Sequence, residues 1–345
     1  MKEGKIMANQ AARVAVIGAG GIANSVHLPS LKEIENANLV AVCDLRLEKA
    51  QAAAEKFSIP GVYWNMFEMF EKEALDGVFV LVEPDRLFRV AQDCMRAGIS
   101  CIMEKPAGTS AHQTSALTRI ARETGKTCAV AMNRRHIPLV QEVMKHMREV
   151  TTITQVDGVF IKNTDLSHEW EYSNAFATDI VHAIDLVRYL ADSEVSTCAT
   201  AIGRFSGCPV DNAWSSVMKF ENGITGTLKS NYQTGGRVHT FEMHGPGASA
   251  FINLGFGGAN CEATILYHSG KSMYSLAAAG VGGQSSETID GKKLAGSDQY
   301  HAYYGYKQED QDFVNCLLTG KRPLCTIEDA EGSMKLVEKL LASAI

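Results

Sequence analysis

The chain lacks a basic excess: 33 Lys and Arg stand against 39 Asp and Glu, for a formal net charge of −6. No basic block or aromatic-interleaved stripe is present to track a phosphate backbone, which sets nucleic acid aside as a partner. Cys-x-x-Cys pairs are absent, and the nine cysteines, scattered from Cys43 to Cys325, have no His nearby at zinc-site spacing. Their odd number argues against a closed disulfide framework and fits a reduced cytoplasm, and nothing in the pattern calls for a metal. No segment reaches the roughly 18 uninterrupted apolar residues of a membrane span, and residues 1–10 lack the apolar core of a signal peptide. Neither a serine nucleophile elbow nor a Cys-His nucleophile context is present, which disfavours covalent hydrolysis.

What is present suits two domains, since 345 residues can bury two cores. Arg13 to Ile17 reads as a buried strand and the next helix-like stretch begins at about Ile22, so Gly18-Ala19-Gly20-Gly21-Ile22-Ala23 falls at a strand-to-helix turn. Gly18 permits the turn, Gly20 lets a pyrophosphate approach the backbone, and Ala23 lets the helix pack, with its N-terminal N–H groups facing the anion. Gly21 and Ile22 complete this cofactor-binding set; the competing reading is an ordinary glycine turn. The second strand, from Leu39, ends in Asp44, near the spacing of about 20 residues expected for a carboxylate on the adenosine ribose diol. This favours NAD over NADP, although Arg46 could receive a 2′-phosphate and Asp44 could instead cap the helix that follows. Further strands are expected at 77–82, 100–103 and 127–132, with helices from about Leu87 and Ala111. The alternation predicts a doubly wound parallel sheet with its ligand at the carboxyl ends of the strands.

The strand at 100–103 delivers Glu104-Lys105-Pro106. Residues directly after a strand line the crevice, which puts Lys105 near the nicotinamide end. A lysine has an ordinary pKa near about 10.4, so unless desolvated it acts as a donor to a developing alkoxide. The plain alternative is a surface pair with Glu104. Taken in order, the glycine turn, His27-Leu28-Pro29, Asp44, Glu104-Lys105-Pro106, Asn133-Arg134-Arg135 and His182-Ala183-Ile184-Asp185 resemble the glucose-fructose oxidoreductase and inositol dehydrogenase family (Gfo/Idh/MocA type) over nearly the whole chain. The resemblance implies a Rossmann domain at 1–132 and, at 133–345, an α+β substrate domain on a large, mostly antiparallel open sheet. It also implies that Lys105 contacts the nicotinamide ribose and the substrate hydroxyl, that Pro84, Glu104 and Asn133 join the cofactor contacts, and that Arg135 and Thr178 reach the substrate. Two departures stand out. Only Pro84 of the family's Thr-Pro-Pro-x-x-His pattern carries over into 82–87, and Thr178 stands where inositol dehydrogenases have an aspartate four residues before the helix histidine.

Thr178 to Leu190 reads as one helix with Ile180, Ile184, Val187 and Leu190 on one face. At about 100° per residue, Asp179 and Asp185 fall about 60° to either side of His182, giving a carboxylate–imidazole–carboxylate stripe or, in the bland reading, a solvated face. His182 then serves as a general base with Asp179 orienting its ring, while Asp185 pairs with Arg188 or Arg135. Extended runs at 155–161, 197–204, 215–220, 223–232, 238–244 and 248–253, with a hairpin turn at Glu221-Asn222-Gly223, predict a largely antiparallel sheet. One face takes helices; the other, by the resemblance, meets a second subunit, which gives a homo-oligomer. Trp170 reads equally as a ring that stacks on a sugar and as an anchor of its own segment. Residues 278–306 read as a loop or arm, and 307–318 and 327–342 as helices closing the second domain.

The expected chemistry is NAD-dependent oxidation of a secondary hydroxyl on a sugar, cyclic polyol or glycoside, with ring C3 of a glycoside among the options. The family also holds enzymes that use such an oxidation to set up glycosidic cleavage, and its fold serves catalytically silent sensors.

Overall fold

The computed structural model describes residues 11–164, 166, 174–256, 258–268 and 284–345. The chain divides into two compact units, one running to Asn133 and including Tyr300–Glu331, the other comprising Arg134–Gln299 and Gly332–Ile345.

The first unit begins with β1 (Ala12–Ile17), α1 (Leu28–Glu33), β2 (Ala37–Cys43), α2 (Leu47–Phe57), β3 (Gly61–Tyr63) and α3 (Met66–Lys72). It continues with β4 (Gly77–Val80), α4 (Pro84–Arg96), β5 (Ser100–Met103), α5 (Ala111–Thr124) and β6 (Cys128–Val130). The strands pair in the order β3-β2-β1-β4-β5-β6, every pair parallel. Burial on both faces is why β1 and β4 are almost unbroken apolar runs. The order reverses at β1, so the crevice between β1 and β4 is the switch point at which such sheets bind ligands. Local chemistry sets the helix ends: Pro84 opens α4, Ser110 caps α5 by accepting from the Gln113 N–H at 3.3 Å, and Gly125 closes it at φ +65°.

The second unit contains α6 (Pro138–Val150), β7 (Gln155–Asn163), α7 (Ala175–Thr178), α8 (Val181–Ala191), β8 (Val195–Gly203), β9 (Ala213–Phe220) and β10 (Thr225–Asn231). Then follow β11 (Gln233–Gly245), β12 (Ala248–Leu254), β13 (Cys261–His268), β14 (Gln284–Asp290) and α9 (Gly291–Ala295). Eight strands form one sheet in the order β14-β13-β12-β11-β7-β10-β9-β8, antiparallel except for β7 beside β10. Strict alternation in β9, with Trp214, Ser216, Met218 and Phe220 buried and Ser215, Val217 and Lys219 exposed, marks a sheet covered on one face. The expected α/β plus antiparallel architecture is what the chain adopts.

The segment expected to be a loop or arm holds β14 and α9. As an edge strand with mostly exposed side chains, β14 shows no hydrophobic alternation to reveal it. Next come α10 (Tyr300–Tyr303), α11 (Tyr306–Thr319) and α12 (Ile327–Ala342). The expected second domain of 133–345 differs from the observed division at 300–331, because Phe313 and Val314 of α11 join the core of Val14, Val16 and Phe79.

Candidate active site

The turn after β1 depends on Gly18, whose φ is +100° and where a Cβ would lie 2.3 Å from the Leu81 carbonyl oxygen. Gly20 and Gly21 look onto open space, with nothing within 4 Å of a built Cβ. Asn24 fastens the turn, its Nδ2 donating to the carbonyls of Ala19 at 3.0 Å and Gly20 at 2.9 Å. Residues Ala23–His27 then form a π-helical turn, closed by the Leu28 N–H on Ala23 O. Pro29 accounts for this widening, since it has no N–H for an α-helical bond and its ring crowds the carbonyl four residues back.

Beside the turn opens a cavity of about 680 Å³ lined by Gly18, Gly20, Asp44, Arg46, Trp64 and Phe67 among others. Asp44 ties the turn to β2: its Oδ2 accepts the Ala19 N–H at 2.8 Å and its Oδ1 the Arg46 N–H at 2.9 Å. It does not cap α2, whose N-cap is Arg46. Trp64 and Phe67 are exposed aromatics at the cavity wall. Bare backbone, a carboxylate with further lone pairs and flat apolar rings fit a pyrophosphate, a ribose diol and a purine in turn, so these residues fit a nicotinamide dinucleotide. The sequence reading missed the aromatic wall because β3 and α3, which carry it, are short.

At the end of β5, Glu104 is not half of a surface pair. It is 8% exposed, and its Oε2 accepts the backbone N–H of Lys105 at 3.0 Å while its Oε1 lies 3.3 Å from His27 Nε2. Asn133 is buried and donates from Nδ2 to the Tyr304 carbonyl at 2.9 Å. Pro84 starts α4, and the lining of the cavity takes its neighbours Glu83 and Arg86.

In the second unit, the helix expected from Thr178 is broken. α7 ends at Thr178, Asp179 sits at φ −129° and ψ −47°, and α8 starts at Val181. The stripe on one helix face therefore does not form: Asp179 accepts from the Tyr232 hydroxyl at 2.5 Å and pairs with Lys162, whereas Asp185 is fully buried. Arg135, expected at the substrate, is buried too, its Nε donating to Asp185 Oδ2 at 2.8 Å and its Nη2 to Oδ1 at 2.7 Å. Arg188 pairs with Glu194. His182 is 7% exposed on α8, and Thr178 is buried with its hydroxyl on the Asn174 carbonyl at 3.1 Å. Trp170 and the rest of His168-Glu169-Trp170-Glu171-Tyr172 lie outside the described residues.

The helix-covered sheet face turns polar along one row. Trp214, Ser230, Phe160 and His239 stand side by side across β9, β10, β7 and β11, with Lys162 and Tyr232 one step beyond. Trp214 Nε1 and Ser230 Oγ are buried without a hydrogen-bond partner among the described residues. Burial, with Asp179 adding, raises the Tyr232 pKa well above the phenol range and keeps it a donor. Burial, aided by Arg134 and Arg237, lowers that of His239 and keeps its ring neutral. Lys162 was legible in the sequence as a cation continuing the buried face Val156, Gly158, Phe160 of β7.

Residues 12–132 match the family described as an oxidoreductase family with an NAD-binding Rossmann fold, and residues 148–251 match the GFO/IDH/MocA C-terminal domain. The chain belongs to the Gfo/Idh/MocA family. As a member it is an NAD(P)-dependent oxidoreductase. It is 24% identical over 229 residues to D-apiose dehydrogenase of Paraburkholderia graminis, a stretch covering 63% of this chain and 60% of that protein. To scyllo-inositol 2-dehydrogenase (NAD(+)) of Bacillus subtilis it is 22% identical over 340 residues, covering 92% and 90%. A solved dehydrogenase from Chromobacterium violaceum superposes with a TM-score of 0.84 at 17% identity, covering 97% of this chain and 96% of that one. The described part of this chain has no helix long and apolar enough to cross a membrane.

Proposed function

We propose that the protein oxidises, or in reverse regenerates, a secondary hydroxyl on a sugar, cyclic polyol or glycoside, with NAD as the cofactor. The observation that carries this reading is the place of Lys105, directly after β5 in a parallel sheet whose glycine turn sits at the switch point. When bound, the nicotinamide supplies a hydride acceptor at C4. His182 takes the hydroxyl proton while Lys105 donates to the oxygen as charge develops there. Asp179, anchored by Lys162 and Tyr232, supports His182, and Thr178 joins the substrate contacts.

The preference for NAD rests on Asp44, whose carboxylate lines the cavity where a 2′-phosphate would be repelled. Arg46 and Lys49 also line it, so the preference is one of degree. Asp44→Asn is expected to weaken NAD about tenfold or more and to narrow the gap to NADP, because a charge-assisted hydrogen bond contributes about 1.5–3 kcal/mol. Calorimetric titration with both nucleotides measures this, and an unchanged ratio would remove Asp44 from the ribose.

Exposed Val217 and Phe251 on the uncovered sheet face support a homo-oligomer joined there, and nine free cysteines support a reducing, cytoplasmic location. The function is tested by incubating purified protein with NAD and carbinol-deuterated myo-inositol, D-glucose and methyl glucosides, followed by mass spectrometry. Deuterium in the nicotinamide, or a ketone product, is the expected result. Release of the aglycone would mark oxidation as the first step of glycosidic cleavage. Binding of NAD and sugar without exchange on the whole panel would favour a silent sensor.

A further inference from the structure

Within the first unit, the N-terminal turn of α11 meets the turn that carries Lys105. Asp310 Oδ1 accepts from His27 Nδ1 at 2.8 Å, His27 Nε2 lies 3.3 Å from Glu104 Oε1, and Glu104 Oε2 accepts the Lys105 N–H at 3.0 Å. His27 and Asp310 are fully buried. An imidazole with a carboxylate on each nitrogen satisfies both only as the doubly protonated cation. We propose that His27 and Asp310 are positioning residues for Lys105, forming with Glu104 a buried chain that fixes the turn presenting the lysine. Its importance to catalysis rests on the reading of Lys105 as the alkoxide donor; its geometry does not.

The groups facing His27 are Glu104 from the end of β5, Asp310 and Glu309 from α11, the Tyr306 ring at 5.7 Å and Phe79 of β4 at 6.3 Å, while Ser30 of α1 bonds to Asp310. Burial alone would lower the His27 pKa, but Asp310 and Glu104 outweigh it and hold the value well above the ordinary one. Burial would raise Glu104, and His27 and Lys105 bring it below the usual carboxylate range. Glu309 is raised well above that range by burial, and its oxygens have no hydrogen-bond partner among the described residues. Ligand-type atoms of His27, Glu309 and Asp310 lie within 4.8 Å of one another. Both ring nitrogens already face carboxylates, however, so a proton rather than an ion closes the cluster.

The sign of the pH dependence follows. Because the folded His27 pKa exceeds the unfolded value of about 6.5, its contribution is complete below that pH and is lost as pH rises through the folded value. Glu104, being lowered, contributes above about pH 4.3 and loses this as pH falls through its folded value. Burial raises the Asp310 carboxyl above its ordinary value despite His27, so the chain of bonds is intact from the higher of the two carboxyls' folded values up to that of His27.

The test is amide hydrogen exchange by NMR on the full-length protein, with the histidine ring nitrogens observed alongside. In the wild type at pH 7.5 the His27 ring should be doubly protonated. In Asp310→Asn it should lose a proton, and the Lys105 amide should exchange at least about tenfold faster while Val14 and Val16 of β1 stay unchanged. A general loss of stability would speed β1 as well. Unchanged Lys105 protection beside a neutral ring, or a neutral ring in the wild type, overturns the proposal. If Asp310→Asn does not fold, the wild type titrated upward in pH gives the same comparison, and Lys105 protection that ignores the ring's titration overturns it. Neither measurement uses turnover, so the lysine's catalytic role stands or falls separately on Lys105→Ala.

Discussion

Lys105→Ala should lower hydride transfer by a factor of about 10²–10³, the usual loss on removing one preorganised donor from a developing oxyanion. The affinity for NAD should change little, because the cavity beside the glycine turn is lined by Gly18, Asp44, Arg46 and Trp64 and not by this residue. An interaction made chiefly in the transition state lowers kcat and kcat/KM together, which separates this outcome from a lysine that only binds substrate. The measurement is single-turnover deuterium transfer from the labelled alcohol, read by mass spectrometry of both products. Absorbance alone would miss a cofactor that returns to its starting state within each cycle. Transfer at the wild-type rate would remove Lys105 from the chemistry whatever the behaviour of His27.

The sequence exposes the first unit better than the second, for a physical reason. Strands covered on both faces are unbroken apolar runs set off by glycine and proline, so β1, β4 and β5 and the turns after them stand out. Strand β3 has only three residues and the edge strand β14 is largely exposed, and neither leaves a pattern. The stripe through Asp179, His182 and Asp185 assumed one unbroken helix. The break at Asp179 takes its carboxylate out of helical phase and gives it to Lys162 and Tyr232. His27 was visible only as part of a motif, since its partner Asp310 is 283 residues away. Acidic residues in the first turn of a helix ordinarily complement its dipole in water, and nothing in the spacing of Glu309 and Asp310 announces that they are buried.

Asp185→Ala should produce the largest loss of stability. The carboxylate holds the Arg135 guanidinium through two hydrogen bonds and accepts a third from the Ser333 hydroxyl at 2.6 Å, with all three residues buried. Removing it strands a cation in the interior, which costs about 3–5 kcal/mol. For a unit of this size the melting temperature should fall by about 6–20 °C, taking roughly 2–4 °C per kcal/mol. Replacing both partners, as in Arg135→Met with Asp185→Leu, should recover most of the loss, because it removes the stranded charge along with its partner. Thermal unfolding of Arg135→Met, Asp185→Leu and the double variant closes the cycle. A melt of Asp185→Ala within about 2 °C of the wild type would mean that Arg135 finds water or another acceptor when the carboxylate is gone. The distinction matters for the site: Asp185 lies one helical turn from His182 on α8, and a structural ion pair there fixes the helix that carries the proposed base.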